Sequence, residues 1–168
     1  MRQILSLQES SNDELISAAV ISRKTGSWWR QLILNKGSKD GVEIGNIVIG
    51  PGGLLGRVKD TSLFTSSVTL LTSPESKLGV WIDRSQINGL MVGSGDDHPT
   101  LILYSKEADI KVGDFVSSSP ASSLLPPNIP IGIVKSIDEK SQSKKTAKIS
   151  LLAKPHLIDW VQILKIKN

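Results

Sequence analysis

Residues Leu32 to Val58 read LILNKGSKDGVEIGNIVIGPGGLLGRV. The apolar runs Leu32-Ile33-Leu34, Ile47-Val48-Ile49 and Leu54-Leu55 are parted by a loop with Gly37, Gly41 and Gly45 at four-residue intervals and by a Pro51-Gly52-Gly53 turn. Short apolar runs bounded by Gly, Pro, Asn and Asp predict strands joined by tight turns. The stretch is a β corner, and the chain uses it twice.

Leu32-Ile33-Leu34 returns as Leu101-Ile102-Leu103, and Val42-Glu43-Ile44-Gly45-Asn46 returns as Ile110-Lys111-Val112-Gly113-Asp114. Leu55-Gly56-Arg57-Val58-Lys59 is answered by Ile131-Gly132-Ile133-Val134-Lys135, and Val68-Thr69-Leu70-Leu71 with Pro74 by Ile149-Ser150-Leu151-Leu152 with Pro155. The order is kept while the offset grows from about 68 to about 81 residues, as insertions in loops would cause. Two related β-domains follow.

The 168 residues suffice for one domain or two small ones. An apolar share of 39% against 21% charged residues excludes a disordered chain. No apolar run approaches the roughly 20 residues of a membrane span, and Met1-Arg2-Gln3 opens no signal peptide. Zero cysteines exclude disulfides, thiolate metal sites and cysteine nucleophiles. The net charge of +4 is modest. Its lysines, notably Lys135, Lys140, Lys144, Lys145 and Lys148, are read as solubilising a hairpin, since a nucleic-acid face would interleave them with aromatics.

Along the chain, Arg2 to Ile16 is the helical segment. Ile4, Leu5, Gln8, Leu15 and Ile16 form its stripe, with a cap at Ser11 or Asn12. It reads as the end of a coiled coil that pairs with a copy of itself or lies on its own domain. From Ala18 onward about twelve short strands follow. The expected architecture is all-β: two small, related barrels of about six strands each, preceded by that helix. The expected divisions are residues 1–17 for the helix, 18–95 for the first barrel and 96–168 for the second, with the turn-rich stretch 93–99 as boundary. The last strand, Trp160 to Ile166, closes the second barrel or returns to the first. In the loop Ser117 to Pro130, Leu124, Leu125 and Ile129 either present an apolar surface or pack beneath their own barrel.

Candidate chemistry is sparse. Gly50-Pro51-Gly52-Gly53-Leu54-Leu55-Gly56 lacks the Lys-Ser/Thr pair of a phosphate loop and runs into a strand, so a hairpin turn is expected. Paired β-barrels also occur in serine proteases, where His98 or His156 would be the base; both sit beside proline in loops, and no nucleophile signature accompanies them. Asp96, Asp97 and His98 carry metal-ligand chemistry but adjoin one another, and a solvated turn is the expectation. Of four tryptophans, Trp81 and Trp160 alternate with apolar neighbours and are expected in the core, whereas one ring of Trp28-Trp29 faces out as a contact surface.

With these residues in order, the chain resembles the MreC family of bacterial rod-shape-determining proteins over nearly its whole length. The most specific run is Lys36-Gly37-Ser38-Lys39-Asp40-Gly41-Val42. Gly53-Leu54-Leu55-Gly56-Arg57-Val58, Asn88-Gly89-Leu90-Met91-Val92-Gly93, Ala108-Asp109-Ile110-Lys111-Val112-Gly113-Asp114 and Pro127-Asn128-Ile129-Pro130-Ile131-Gly132 also fit in sequence order. Asn128 stands where the family usually has glycine, and because Asn tolerates left-handed backbone the turn is expected to survive. The resemblance implies a non-enzymatic scaffold of the cell-elongation machinery, organising lateral peptidoglycan synthesis and rod shape, without catalytic, cofactor or metal residues. It gives Gly37, Gly41, Gly45, Gly56, Gly113 and Gly132 structural roles. It implies self-association as a homodimer or filament, and a class B penicillin-binding transpeptidase, MreD, RodA and the MreB cytoskeleton as partners. It also implies a periplasmic location behind a single N-terminal inner-membrane anchor absent from this sequence. No partner contact carries over residue by residue. The alternatives are an oligonucleotide- or oligosaccharide-binding barrel protein using Trp28 or Trp29, and a degenerate hydrolase using His98 or His156.

Overall fold

The structure, a computed structural model, describes residues 15–25, 30–105, 107–121, 125–140 and 143–165. Twelve strands occupy them: β1 (Leu15–Thr25), β2 (Arg30–Leu34), β3 (Ile47–Gly50), β4 (Gly53–Thr61), β5 (Ser66–Leu70), β6 (Lys77–Ile82), β7 (Asn88–Val92), β8 (Thr100–Leu103), β9 (Phe115–Ser118), β10 (Pro130–Asp138), β11 (Lys145–Leu151) and β12 (Trp160–Leu164). They close into two antiparallel six-stranded barrels, ordered β1-β12-β3-β4-β5-β2 and β10-β11-β8-β7-β6-β9. The second barrel is continuous in sequence and is inserted between β5 and β12 of the first.

The sequence repeat explains this arrangement. It matches β2 with β8, β3 with β9, β4 with β10 and β5 with β11, which leaves β1 opposite β7 and β12 opposite β6. Both barrels then share one cyclic strand order. The first differs only in taking its leading strand from the C-terminal end of the chain. Turn geometry repeats as well. In each copy a glycine with φ near +94°, Gly45 or Gly113, donates its N–H to a strand carbonyl, Val58 or Val134, at 2.9 Å. The next side chain caps the same turn: Asn46 Oδ1 accepts from the Glu43 N–H at 2.9 Å, and Asp114 Oδ2 accepts from the Lys111 N–H at 2.8 Å. A bulge follows in each long strand, between Val58 and Asp60 in β4 and between Val134 and Ser136 in β10.

β3 is buried at every position, because each of its faces meets a core. Val48 points into the first barrel with Leu32, Leu34, Val58, Val68 and Ile163. Ile47 and Ile49 point outward, where they join Leu54, Leu71 and Leu164 in one continuous cluster with Leu78, Ile129, Ile131 and the rest of the second barrel's core. A strand apolar on both faces is the mark of an element covered on both sides. The seam between the barrels is therefore core, and Leu125 and Ile129 of the proline-rich loop pack into it.

Two expectations change and one alternative is resolved. The boundary placed in residues 93–99 falls instead between β5 and β6: residues 93–99 join β7 to β8 within the second barrel, since polar, turn-rich composition marks any exposed turn. The last strand, left open between the barrels, pairs with β1 and β3 of the first. Leu15, Ile16 and Ser17, read as helix, are strand and pair with Leu164, Ile163 and Gln162; a ready strand edge overrides a short helical stripe. Residues 1–14 of that helix lie outside the described residues. Asn128 keeps the turn with φ 65°.

Candidate interaction surfaces

Three of the residues singled out for possible chemistry, Asp97, His98 and His156, meet at one place. A cleft of about 660 Å³ between the barrels is lined by Arg30, Thr72, Asp97, His98, Lys154 and His156, among others. Arg30 crosses from β2 to the β7–β8 turn, donating from Nε to Thr72 Oγ1 at 2.8 Å, from Nη1 to the Gly95 carbonyl at 3.1 Å and from Nη2 to Asp97 Oδ1 at 2.5 Å. Asp96 holds the turn itself, accepting from the His98 N–H at 2.9 Å and from Ser94 Oγ at 3.3 Å. The His98 N–H keeps that carboxylate below its ordinary pKa. His98 Nε2 lies 3.2 Å from Lys135 Nζ. The three adjacent residues thus face three different partners.

A nucleophilic triad needs an imidazole with a carboxylate on one nitrogen and a hydroxyl on the other. His98 meets a lysine, and His156 is exposed in the 3₁₀ turn Pro155–Leu157. Among the described residues, no group of three or more His, Cys, Asp or Glu converges on a point that would hold a metal ion. The lysine-rich stretch forms the β10–β11 hairpin, where Lys145 is tied to Glu139 at 3.2 Å and Lys148 to Thr100 Oγ1 at 3.0 Å. Trp28 and Trp29 lie outside the described residues.

Apolar side chains on the outside mark a second kind of site. Trp160, expected in the core, is 62% exposed. The alternation of β12 sends Val161 and Ile163 inward, so Trp160 faces out beside Ala19, its partner on β1. Nearby, Arg23 pins the preceding segment by donating to the Pro155 and Ile158 carbonyls and to Asp159 Oδ1. Leu157, Trp160 and the bulge residue Ile21 of the same barrel are all more than half exposed. Leu63 and Phe64 form a further exposed pair at the β4–β5 hairpin tip, with Lys39 Nζ 5.2 Å from the Phe64 ring centre. Trp81 is half-buried on β6.

Sequence reasoning missed one ionic cluster. Arg84 donates from Nε and Nη2 to Asp114 at 2.9 and 3.0 Å, and from Nη1 and Nη2 to Asp109 at 2.9 and 3.0 Å. The fork ties the β6–β7 turn to the loop before β9. Hydrogen bonds from Arg84 hold both carboxylates below their ordinary pKa. Asp114 is buried and its equivalent in the first barrel is the neutral Asn46, so only the pairing of Arg84 with a charged cap could have signalled the cluster.

Fold and surfaces together define a tandem-barrel β-protein, one barrel inserted in the other, whose outer faces carry apolar contact positions. The family model for the barrel core of the rod shape-determining protein MreC matches residues 20–165, and the chain belongs to this family. The cell shape-determining protein MreC of Caulobacter vibrioides is 30% identical over 168 residues, covering 99% of this chain and 47% of that protein. The chain thus spans about half the length of that relative. The crystal structure of MreC from Pseudomonas aeruginosa superposes with a TM-score of 0.83 at 26% identity, covering 91% of this chain and 100% of that one. The fold also matches, at TM-score 0.74 and 18% identity over 93% of this chain and 99% of that one, the structure of a complex between penicillin-binding protein PBP2 and MreC from Helicobacter pylori. Among the described residues, no helix is long and apolar enough to cross a membrane.

Proposed function

We propose that this chain is the periplasmic barrel portion of a non-enzymatic scaffold that organises peptidoglycan synthesis during cell elongation and so maintains rod shape. Family membership over residues 20–165 carries the reading. In support, the polar candidates of the inter-barrel cleft are engaged with one another and with turns, while apolar side chains such as Trp160, Leu157 and Ile21 are left facing outward. Tryptophan is among the side chains that protein interfaces use most as anchors, which singles out Trp160 of the three. The Helicobacter relative is found with PBP2. By analogy the partner here is a class B penicillin-binding transpeptidase, with MreD, RodA and the MreB cytoskeleton completing the assembly. In the same reading a single N-terminal helix anchors the full protein in the inner membrane, and copies self-associate.

Depletion of the full-length protein in its own bacterium tests this. Cells should round or swell and lose the pattern of new peptidoglycan along the lateral wall. Rods that keep both shape and labelling would overturn the assignment.

A further inference from the structure

We infer that the first barrel carries a carboxylate-binding pocket centred on Arg57. The pocket has a volume of about 320 Å³ and is lined by Ile44, Arg57, Lys59, Thr69, Glu75 and Lys77, among others. It opens on the outer face of β4, where strand alternation turns Arg57 and Lys59 outward while Val58 is buried. The Gly45 turn forms one wall. A Cβ added at Gly45 would sit 3.8 Å from Arg57 Nη2, which places the guanidinium against this turn.

Arg57 is not arranged as a structural arginine. Its Nε is buried and has no hydrogen-bond acceptor among the described residues. Arg23, Arg30 and Arg84 each reach at least one carboxylate. Among the described residues Ser66 Oγ, Trp81 Nε1 and Ser85 Oγ are likewise buried without a partner, but Arg57 is the charged one of the four and the one that lines an open pocket. The inserted barrel supplies the control. At the same point, after the same glycine turn and before the same bulge, the second copy carries Ile133. Paired with Ser150 where Arg57 pairs with Thr69, Ile133 shows that the strand needs no charge there.

The lining selects the anion. A guanidinium offers two parallel donors that match the two oxygens of a carboxylate. Lys59 faces Glu75 at 3.0 Å, which leaves Arg57 and Lys77 as the cations that set the local field. Glu75 at the rim repels a doubly charged phosphate more than a singly charged carboxylate. Ile44, 68% exposed, gives an apolar stem a place to rest. The ligand that fits is a carboxylate borne by a polypeptide, from an acidic side chain or a free C-terminus.

The test is a nuclear magnetic resonance titration of the isotopically labelled 168-residue chain at constant ionic strength. N-acetylglycine is the carboxylate probe, N-acetylglycinamide its neutral counterpart and inorganic phosphate the competing anion. N-acetylglycine should shift the Arg57 Nε–H and the Gly45 and Lys77 amides saturably, and N-acetylglycinamide should not. Arg57→Ile should weaken binding by at least about tenfold; it copies the residue of the second barrel and so retains the fold, with Arg57→Gln as a second variant. Absence of a saturable shift at Arg57, an unchanged response in both variants, or phosphate saturating the site at lower concentration than N-acetylglycine would each overturn the assignment.

Discussion

Replacing Gly56 with alanine should remove much of the stability of the first barrel, and one contact sets the size of the effect. An added Cβ would lie 2.1 Å from the Thr69 carbonyl oxygen and 3.1 Å from Val68 Cγ1. Carbon and carbonyl oxygen pack no closer than about 3.3 Å, so the pair must separate by roughly 1 Å. Strands stand about 4.8 Å apart, and a hydrogen bond near 2.9 Å lengthened by that amount is lost. The pairing at risk runs from Gly56↔Leu70 towards Thr61↔Ser66, with the Leu71 N–H to Leu55 carbonyl bond alongside at 3.2 Å. Two or three lost bonds of about 1 kcal/mol each, with the strain of overpacking, give about 3–5 kcal/mol. That is a large part of the roughly 5–15 kcal/mol that holds a domain together. Gly113→Ala is the matched control: nothing lies within 4 Å of its added Cβ, but its φ of +94° costs an L-residue about 1–2 kcal/mol. Equilibrium urea unfolding followed by circular dichroism measures both. A Gly56→Ala protein no less stable than Gly113→Ala would refute the steric argument.

Residues 72–153, which hold all six strands of the second barrel, should fold when expressed alone, whereas residues 15–72 should not, because β12 is missing; amide spectra of the two fragments decide it. Arg84→Gln should flatten the acid limb of stability. Asp109 and Asp114 have depressed pKa values in the folded chain, so their contribution is complete above the ordinary carboxylate value of about 4 and is lost as pH falls through the folded values. Urea midpoints between pH 2 and 7 should therefore converge for wild type and variant at the acid end, and parallel curves would count against the cluster. Trp160→Ser should shift stability by less than about 1 kcal/mol, since the ring is 62% exposed, yet weaken capture of the transpeptidase proposed above as the partner. Ile163→Ala, fully buried three residues along the same strand, should cost about 2–4 kcal/mol.

What could be read from the chain was local and periodic. The paired runs Leu32-Ile33-Leu34 and Leu101-Ile102-Leu103, and the turns ending in Asn46 and Asp114, are legible because glycine at a left-handed position and a capping Asn or Asp are requirements of the backbone itself. Long-range partnership is not of that kind. Nothing in Trp160 to Leu164 says that its neighbours are β1 and β3, since a strand with one apolar face fits any barrel of the right size. The same gap misplaced the boundary, because β6 and β7 were given to the nearer barrel in sequence. Trp160 misled for a related reason: alternation fixes which residues share a face, and only the first pairing partner fixes which face is outside. Arg57 was legible as part of a glycine-arginine-valine run, but its lack of a partner depends on the turn and link that surround it in space.

The insertion makes the two barrels unequal. Every strand of the second is local to residues 77–151, so it can close without the rest of the chain. The first waits for β12: Ser17 Oγ donates to Gln162 Oε1 at 3.0 Å across a sequence separation of 145 residues, and β1 has one free edge until that pairing forms. Long-range pairing is slow because loop closure is opposed by chain entropy until contacts form. A second barrel that folds first removes most of that entropy, because it replaces a long flexible excursion with a rigid one. The seam then completes the process. Ile47, Ile49, Leu54 and Leu164 face outward from the first barrel into the second barrel's cluster, so the strand that closes the first barrel is also one that is covered by the second. The same placement explains the unbroken apolar runs Ile47-Val48-Ile49 in β3 and Ile163-Leu164 in β12, and it makes the relative position of the two outer surfaces a property of a shared core and not of a linker.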